Sequence, residues 1–135
     1  MNQELTEHIT RFLIPKLDPV FIIVFGSYAK DMNRIDSDLD IAFFCQNPTK
    51  SPYELFMLAG ELANIINTDV DLVNLHEVST VFKAQIYSSG VCIYSKNDTF
   101  FYQQRMTALS MYVKLNEERK MILDQIAESG VIYEK

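Results

Sequence analysis

The chain has 135 residues, enough for one domain with a real apolar core and too few for two ordinary ones. Hydrophobic residues at 48% and charged residues at 22% exclude whole-chain disorder. Lys and Arg number 12 against 18 Asp and Glu, and the net charge of -6 repels a phosphate backbone at long range, which excludes broad nucleic-acid binding but not a nucleotide offset by a metal ion.

Leu5, Ile9, Phe12 and Leu13 recur at helical spacing, so an amphipathic helix is expected over residues 3–14, stopped by Pro15. Val20 to Phe25 is a β-branched and aromatic run ended by Gly26, which suits a strand buried on both faces. A short helix is expected just after Ser27. Leu39 to Phe44 reads as a second strand, closed by Asn47-Pro48. Ser51, Pro52 and Glu54 then form a capping-box start, and Leu55, Leu58, Leu62, Ile65 and Ile66 carry a helix to about residue 67. A third strand runs from Asp69 to Leu75, a helix from 79 to 88, and a short fourth strand from Val91 to Tyr94 after the Ser89-Gly90 turn. From Asp98 to about Glu128 no Pro or Gly interrupts a stripe of Ala108, Met111, Tyr112, Leu115, Ile122 and Ile126, a long helix. Met106, Leu109, Val113 and Met121 widen that stripe beyond what a small core requires, so either it packs wholly across the sheet or part of it faces another chain. Strands and helices interleave, which makes the fold class α/β (α+β) in a single domain spanning 1–135.

Chemistry concentrates in two places. Asp38 and Asp40 are two apart at the start of an apolar strand, so their carboxylates project from one face and repel unless a cation lies between them. Hard oxygen ligands select Mg²⁺ or Mn²⁺. Alone, such a pair marks no more than a solvated strand entrance. Upstream, Gly26 and Ser27 follow a buried strand and open the expected helix, where backbone N–H groups and the Ser27 hydroxyl can hold a phosphate. Ten residues separate Ser27 from Asp38, so a phosphate cradle stands beside a metal site. Asp71 is a third candidate: in Asp69-Val70-Asp71-Leu72-Val73 it alternates away from Val70 and Leu72, and a carboxylate in a core strand needs a partner such as a shared metal. Asp69 suits a strand-start position better.

The Gly-Ser, ten residues, Asp-x-Asp pattern with a later strand Asp resembles the DNA polymerase β-type nucleotidyltransferases. It is most similar to the minimal nucleotidyltransferases, the MntA-like antitoxins of HEPN/MNT toxin–antitoxin pairs. The likeness extends through Phe25 to Lys30, Ser37 to Ile41, Asp69 to Val73, Ser79 to Val81 and Ser110 to Tyr112. One departure is Asp31, where such proteins usually carry Gly, and it makes the loop stiffer and more acidic. The resemblance implies a mixed sheet flanked by helices, with a catalytic core at about 17–95 and a C-terminal helix at about 98–128. It implies ATP as co-substrate, two Mg²⁺ ions held by Asp38, Asp40 and Asp71, and Gly26, Ser27, Lys30 and Arg34 at the nucleotide, although Lys30 and Arg34 read equally well as surface cations. The implied reaction is attack of a hydroxyl on the α-phosphorus of ATP, with AMP transferred and pyrophosphate released. The implied acceptor is a tyrosine of a cognate HEPN ribonuclease toxin, making the chain an antitoxin in a hetero-oligomer, with the long helix as a docking surface. A non-catalytic antitoxin acting by occlusion and an aminoglycoside-type small-molecule nucleotidyltransferase are the alternatives.

Other classes fit poorly. The four glycines lie at least 30 residues apart, so no glycine-rich nucleotide fingerprint can be assembled. Cys45, Cys92, His8 and His76 lack paired-ligand spacing for zinc, and both cysteines read as thiols in apolar runs. His8 and His76 read as surface or helix-end residues without a catalytic triad. No apolar run approaches the roughly 20 residues of a membrane-spanning helix, and Met1 to Glu7 lacks the features of a signal peptide, so a cytoplasmic location without membrane contact is expected.

Overall fold

The computed structural model describes residues 1–47 and 50–129. The elements are α1 (Gln3–Leu17), β1 (Phe21–Phe25), β2 (Leu39–Phe44), α2 (Pro52–Ile66), β3 (Val70–Asn74), a 3-10 turn (Leu75–Glu77), α3 (Thr80–Ser89), β4 (Val91–Ser95) and α4 (Asp98–Ser129). Pro48, expected to close β2, lies outside the described residues. α1 continues past Pro15 to Leu17, because a proline in the last turn removes a single ladder bond. The helix ends instead at Asp18, which takes a left-handed conformation (φ 46°) and donates its N–H to the Ile14 carbonyl at 2.9 Å. At α2 the capping box is complete: Glu54 N–H donates to Ser51 Oγ at 3.2 Å and Ser51 N–H donates to Glu54 Oε1 at 2.8 Å. Hydrogen bonding from the Ser51 backbone N–H, and after it from the Ser51 side chain, holds the Glu54 carboxyl below its ordinary pKa.

The strands form one mixed sheet in the order β3-β2-β1-β4. β1 pairs antiparallel with β2 and β4, and β2 pairs parallel with β3. β1 is central and buried along its whole length, as its unbroken apolar run requires. On one face Ile22, Val24, Leu39 and Ile41 pack against Ile9 and Leu13 of α1 and Leu62 of α2. On the other, Phe21, Ile23, Phe25 and Ala42 pack against Ile86 and Tyr87 of α3 and Phe101 and Ala108 of α4. Phe21 anchors the second face, with the Phe101 ring edge-on at 4.9 Å and Phe44 stacked at 5.1 Å. Burying one such ring stabilises by about 1.5–3 kcal/mol.

The stripe of α4 does not pack wholly across the sheet. Phe101 and Ala108 are buried, and Arg105 Nε donates to the Tyr87 carbonyl at 3.1 Å, which ties the first half to α3. Further along, Met111, Val113, Met121, Ile122 and Leu123 are exposed. Both cysteines are free thiols. Cys45 is buried with its Sγ donating to the Leu17 carbonyl, and burial pushes its pKa up.

Candidate functional site

Strand register builds the site. Phe25 of β1 stands opposite Asp40 of β2, and Asp40 stands opposite Asp71 of β3. Directly paired residues share a face, so Phe25, Asp40 and Asp71 form a row across three strands on the side covered by α3 and α4. Val73, two residues beyond Asp71, packs into the core of that same side, whereas Val70 and Leu72 pack on the other. Asp38 lies two residues before Asp40, at the mouth of β2. Asp40 is half-buried, whereas Asp38 and Asp71 are exposed. Phe25, with the Phe82 ring of α3 edge-on at 5.7 Å, makes the apolar flank of the row. Neither aromatic is distinguished as a site residue by the sequence, because the pairing that sets Phe25 beside Asp40 is not written in either strand alone.

The electrostatics follow from this geometry. Burial raises the Asp40 pKa above its ordinary value, and the neighbouring charges of Asp71 and then Asp38 push it further up. Gly26 turns the chain with a φ of +77°, and a Cβ built there would overlap Oδ2 of Asp40 and stand 3.4 Å from its Cγ. The absent side chain leaves the room that the Asp40 carboxylate takes against the backbone. Among the described residues no three His, Cys, Asp or Glu side chains are gathered into a finished cation cage. Like charges on Asp38, Asp40 and Asp71 disfavour such a gathering without a cation, and the two exposed carboxylates are free to turn away. The donors themselves, hard carboxylate oxygens on adjacent strands with the Gly26 backbone alongside, fit Mg²⁺.

The loop after β1 departs from expectation. No helix opens at Ser27: Gly26 to Asp31 form turns, with Met32 N–H donating to the Ser27 carbonyl at 2.9 Å and Asp31 N–H to the Tyr28 carbonyl at 3.3 Å. Tyr28, Met32 and Ile35 fall at helical spacing, but Met32 and Ile35 are exposed, so no buried stripe holds a helix together over Ser27 to Asp38. Half-buried Tyr28 and Ala29 pin the loop to the α1 face of the core instead. Ser27 is half-buried beside Gly26, while Lys30 and Arg34 are exposed. Among the described residues neither cation forms an ion pair with Asp38, Asp40 or Asp71, and the Arg34 N–H donates to Ser37 Oγ at 2.7 Å. Asp31 takes φ 54°, a left-handed conformation that favours glycine and that Asp tolerates. Its Oδ1 lies 3.0 Å from the Met1 amino nitrogen, so its charge is directed to the start of α1.

Hollows flank these elements. One of about 510 Å³ lies at the start of α1, against Tyr28, Asp31 and the end of α2, and includes none of the acidic row. A groove of about 290 Å³ runs between α2 and β3, and Asp71 lines it. His8 is half-buried at the first hollow, and exposed His76 shares a hydrogen bond between Nε2 and the Cys45 carbonyl at 2.8 Å. Neither histidine approaches the row. Among the described residues no helix is long and apolar enough to cross a membrane.

Comparison with known proteins places this arrangement. Residues 7–99 match the family model described as polymerase beta, nucleotidyltransferase, a span that holds all four strands and every acidic candidate. A protein adenylyltransferase, MntA of Shewanella oneidensis, is 32% identical over 128 residues, covering 93% of this chain and 88% of the relative. A crystal structure of a toxin–antitoxin with AMP-PNP contains a chain 31% identical to this one, at a TM-score of 0.75, with 94% of this chain and 99% of that one covered. A structure of the tri-AMPylated Shewanella oneidensis HEPN toxin in complex with its MNT antitoxin gives 32% identity and a TM-score of 0.73, with the same coverages. Family model, curated relative and solved folds coincide over the segment that carries Gly26, Ser27, Asp38, Asp40 and Asp71, and the chain belongs to the polymerase β nucleotidyltransferase family.

Proposed function

We propose that this chain transfers AMP from ATP to a tyrosine hydroxyl of a cognate HEPN ribonuclease toxin and thereby acts as its antitoxin. The observation that carries the reading is the row of Asp40 and Asp71 in register, with Asp38 close enough to act on Asp40 and the Gly26 backbone alongside it. The relatives supply the chemistry by analogy, since MntA is a protein adenylyltransferase and a HEPN toxin has been found AMPylated in complex with an MNT antitoxin.

In this reading Asp38, Asp40 and Asp71 hold Mg²⁺, which supplies charge neutralisation at the phosphates when bound. Gly26 lets a phosphate approach the backbone, and the Ser27 hydroxyl donates a hydrogen bond to it. Lys30 and Arg34, on the loop between cradle and carboxylates, offset phosphate charge from the solvent side. Asp71, exposed on the outer strand, orients the acceptor hydroxyl and takes its proton as the oxygen bonds to the α-phosphorus and pyrophosphate departs. The whole chain acts as one domain, with a catalytic core at about 17–95. The exposed far half of α4 offers the toxin an apolar docking face. A reaction that consumes ATP belongs, in this reading, in the cytoplasm.

The test is intact-mass measurement of the purified cognate HEPN protein after incubation with this chain, ATP and Mg²⁺. A gain of one or more AMP units is expected, and an unchanged mass counts against the reading. The exposed stripe of α4 also suits a second reading, occlusion of the toxin without catalysis. An Asp38→Asn, Asp40→Asn double variant that still protects cells from the toxin would favour it.

A further inference from the structure

β3 forms one edge of the sheet. The Leu39 N–H donates to the Asp69 carbonyl at 2.8 Å, so the parallel ladder turns the backbone groups of Asp69, Asp71 and Val73 toward β2 and those of Val70 and Leu72 outward. An edge of this kind is a template for an additional strand. Beside it lies the 290 Å³ groove, walled by Pro52, Leu55 and Phe56 of α2 and by Val70 and Leu72 of β3. A channel between a sheet edge and a helix is a recurrent seat for an extended peptide. Its charged lining residues are Asp71 and Glu77, with no Lys or Arg among them.

We propose that an extended, basic segment of the acceptor protein adds as a further strand to the outer edge of β3, seated in the groove against α2, with its hydroxyl-bearing residue beside Asp71. This rests on the AMP-transfer reading above and names how its acceptor is presented. Alternation decides the geometry. A residue paired with Asp71 projects onto the face that carries Asp40, and the residues on either side of it project into the apolar groove. The acceptor hydroxyl thereby continues the row of Phe25, Asp40 and Asp71 by one strand. Main-chain bonds to Val70 and Leu72 supply the register, and apolar flanking residues with basic neighbours supply selectivity.

Residue-resolved amide exchange of this chain, free and with the purified cognate HEPN protein, tests the proposal. The Val70 and Leu72 N–H groups are expected to become protected in the complex, and protection confined to α4 would overturn the edge docking. Two variants give a second measure. Leu72→Pro removes an outward N–H while sparing the bonds of Asp71 and Val73 to β2, and Phe56→Lys puts a cation on the groove rim without touching the ladder. Each is expected to raise the KM for the HEPN protein by about tenfold or more with the KM for ATP unchanged. Protection at β3 without AMP transfer would refute the activity and keep the docking. Transfer at the original KM in both variants would refute the docking and keep the activity. A chain that binds no HEPN protein refutes both.

Discussion

Asp40 and Asp71 stand opposite one another across the parallel β2–β3 pair, so two carboxylates share one face of the sheet at adjacent positions. Like-charge pairing of this sort destabilises a strand pair, and a metal-free chain retains that cost. Asp40→Asn should therefore raise the metal-free stability by about 0.5 kcal/mol, the scale of a relieved surface repulsion, while lowering AMP transfer by about a hundredfold or more. Urea midpoints in EDTA and transfer rates in Mg²⁺ measure the two effects. A variant that loses stability and activity together would point to a purely structural Asp40.

The raised pKa of Asp40 makes a pH prediction. Burial first, then Asp71 and Asp38, keep a proton on the native chain at pH values where an unfolded Asp with its ordinary pKa of 3.8 has lost it. The native state then binds more protons, and the contribution of Asp40 to stability falls as pH rises from that ordinary value through the raised one. Comparing urea midpoints of the parent chain and Asp40→Asn over about pH 4 to 7 isolates it, since only the parent should show this slope. Saturating Mg²⁺ should flatten the stability slope by favouring the charged form.

Gly26→Ala combines two penalties. Its φ of +77° costs an L-residue about 1–2 kcal/mol, and the new methyl group meets the Asp40 carboxylate. Thermal unfolding should report that loss of stability. Nucleotide affinity should fall as well, because the displaced Asp40 and the phosphate cradle belong to one site. An alanine variant with parent-like ATP binding would show that the cradle is not used.

The capping box at the start of α2 is a local feature with a local cost. Ser51→Ala removes the acceptor for the Glu54 N–H and should destabilise by about 1 kcal/mol. Lowering the pH should weaken the parent more than the variant as Glu54 becomes protonated, because its depressed pKa stabilises the fold only where the carboxyl is ionised. Urea titrations of both chains near and below the ordinary Glu range check this.

The far half of α4 predicts a separation of fold from partner binding. Its exposed Met121, Ile122 and Leu123 belong to no described core cluster, so replacing all three with Glu should shift stability by less than about 1 kcal/mol. Affinity for the HEPN protein should drop about tenfold or more if this face carries an apolar anchor. Calorimetry with the purified partner reads the second effect. Unchanged affinity would assign partner binding elsewhere on the chain.

The sequence by itself determined what local chemistry can determine. The unbroken apolar run of β1 required burial on both faces, the Ser51-Pro52-Glu54 box started α2 at its observed residue, and the alternation of β3 separated Asp71 from Val70 and Leu72. The pattern of Gly26, Ser27, Asp38 and Asp40 marked the family without reference to coordinates. Local signals misjudged Pro15, which the last turn of α1 accommodates, and Ser27, where burial of Tyr28 and Ala29 holds turns in place of a helix. The tertiary structure alone decided which strands are neighbours. Pairing depends on residues distant in sequence whose faces must match, so only the fold could align Phe25, Asp40 and Asp71, leave β3 at an edge and carry the end of α4 into solvent.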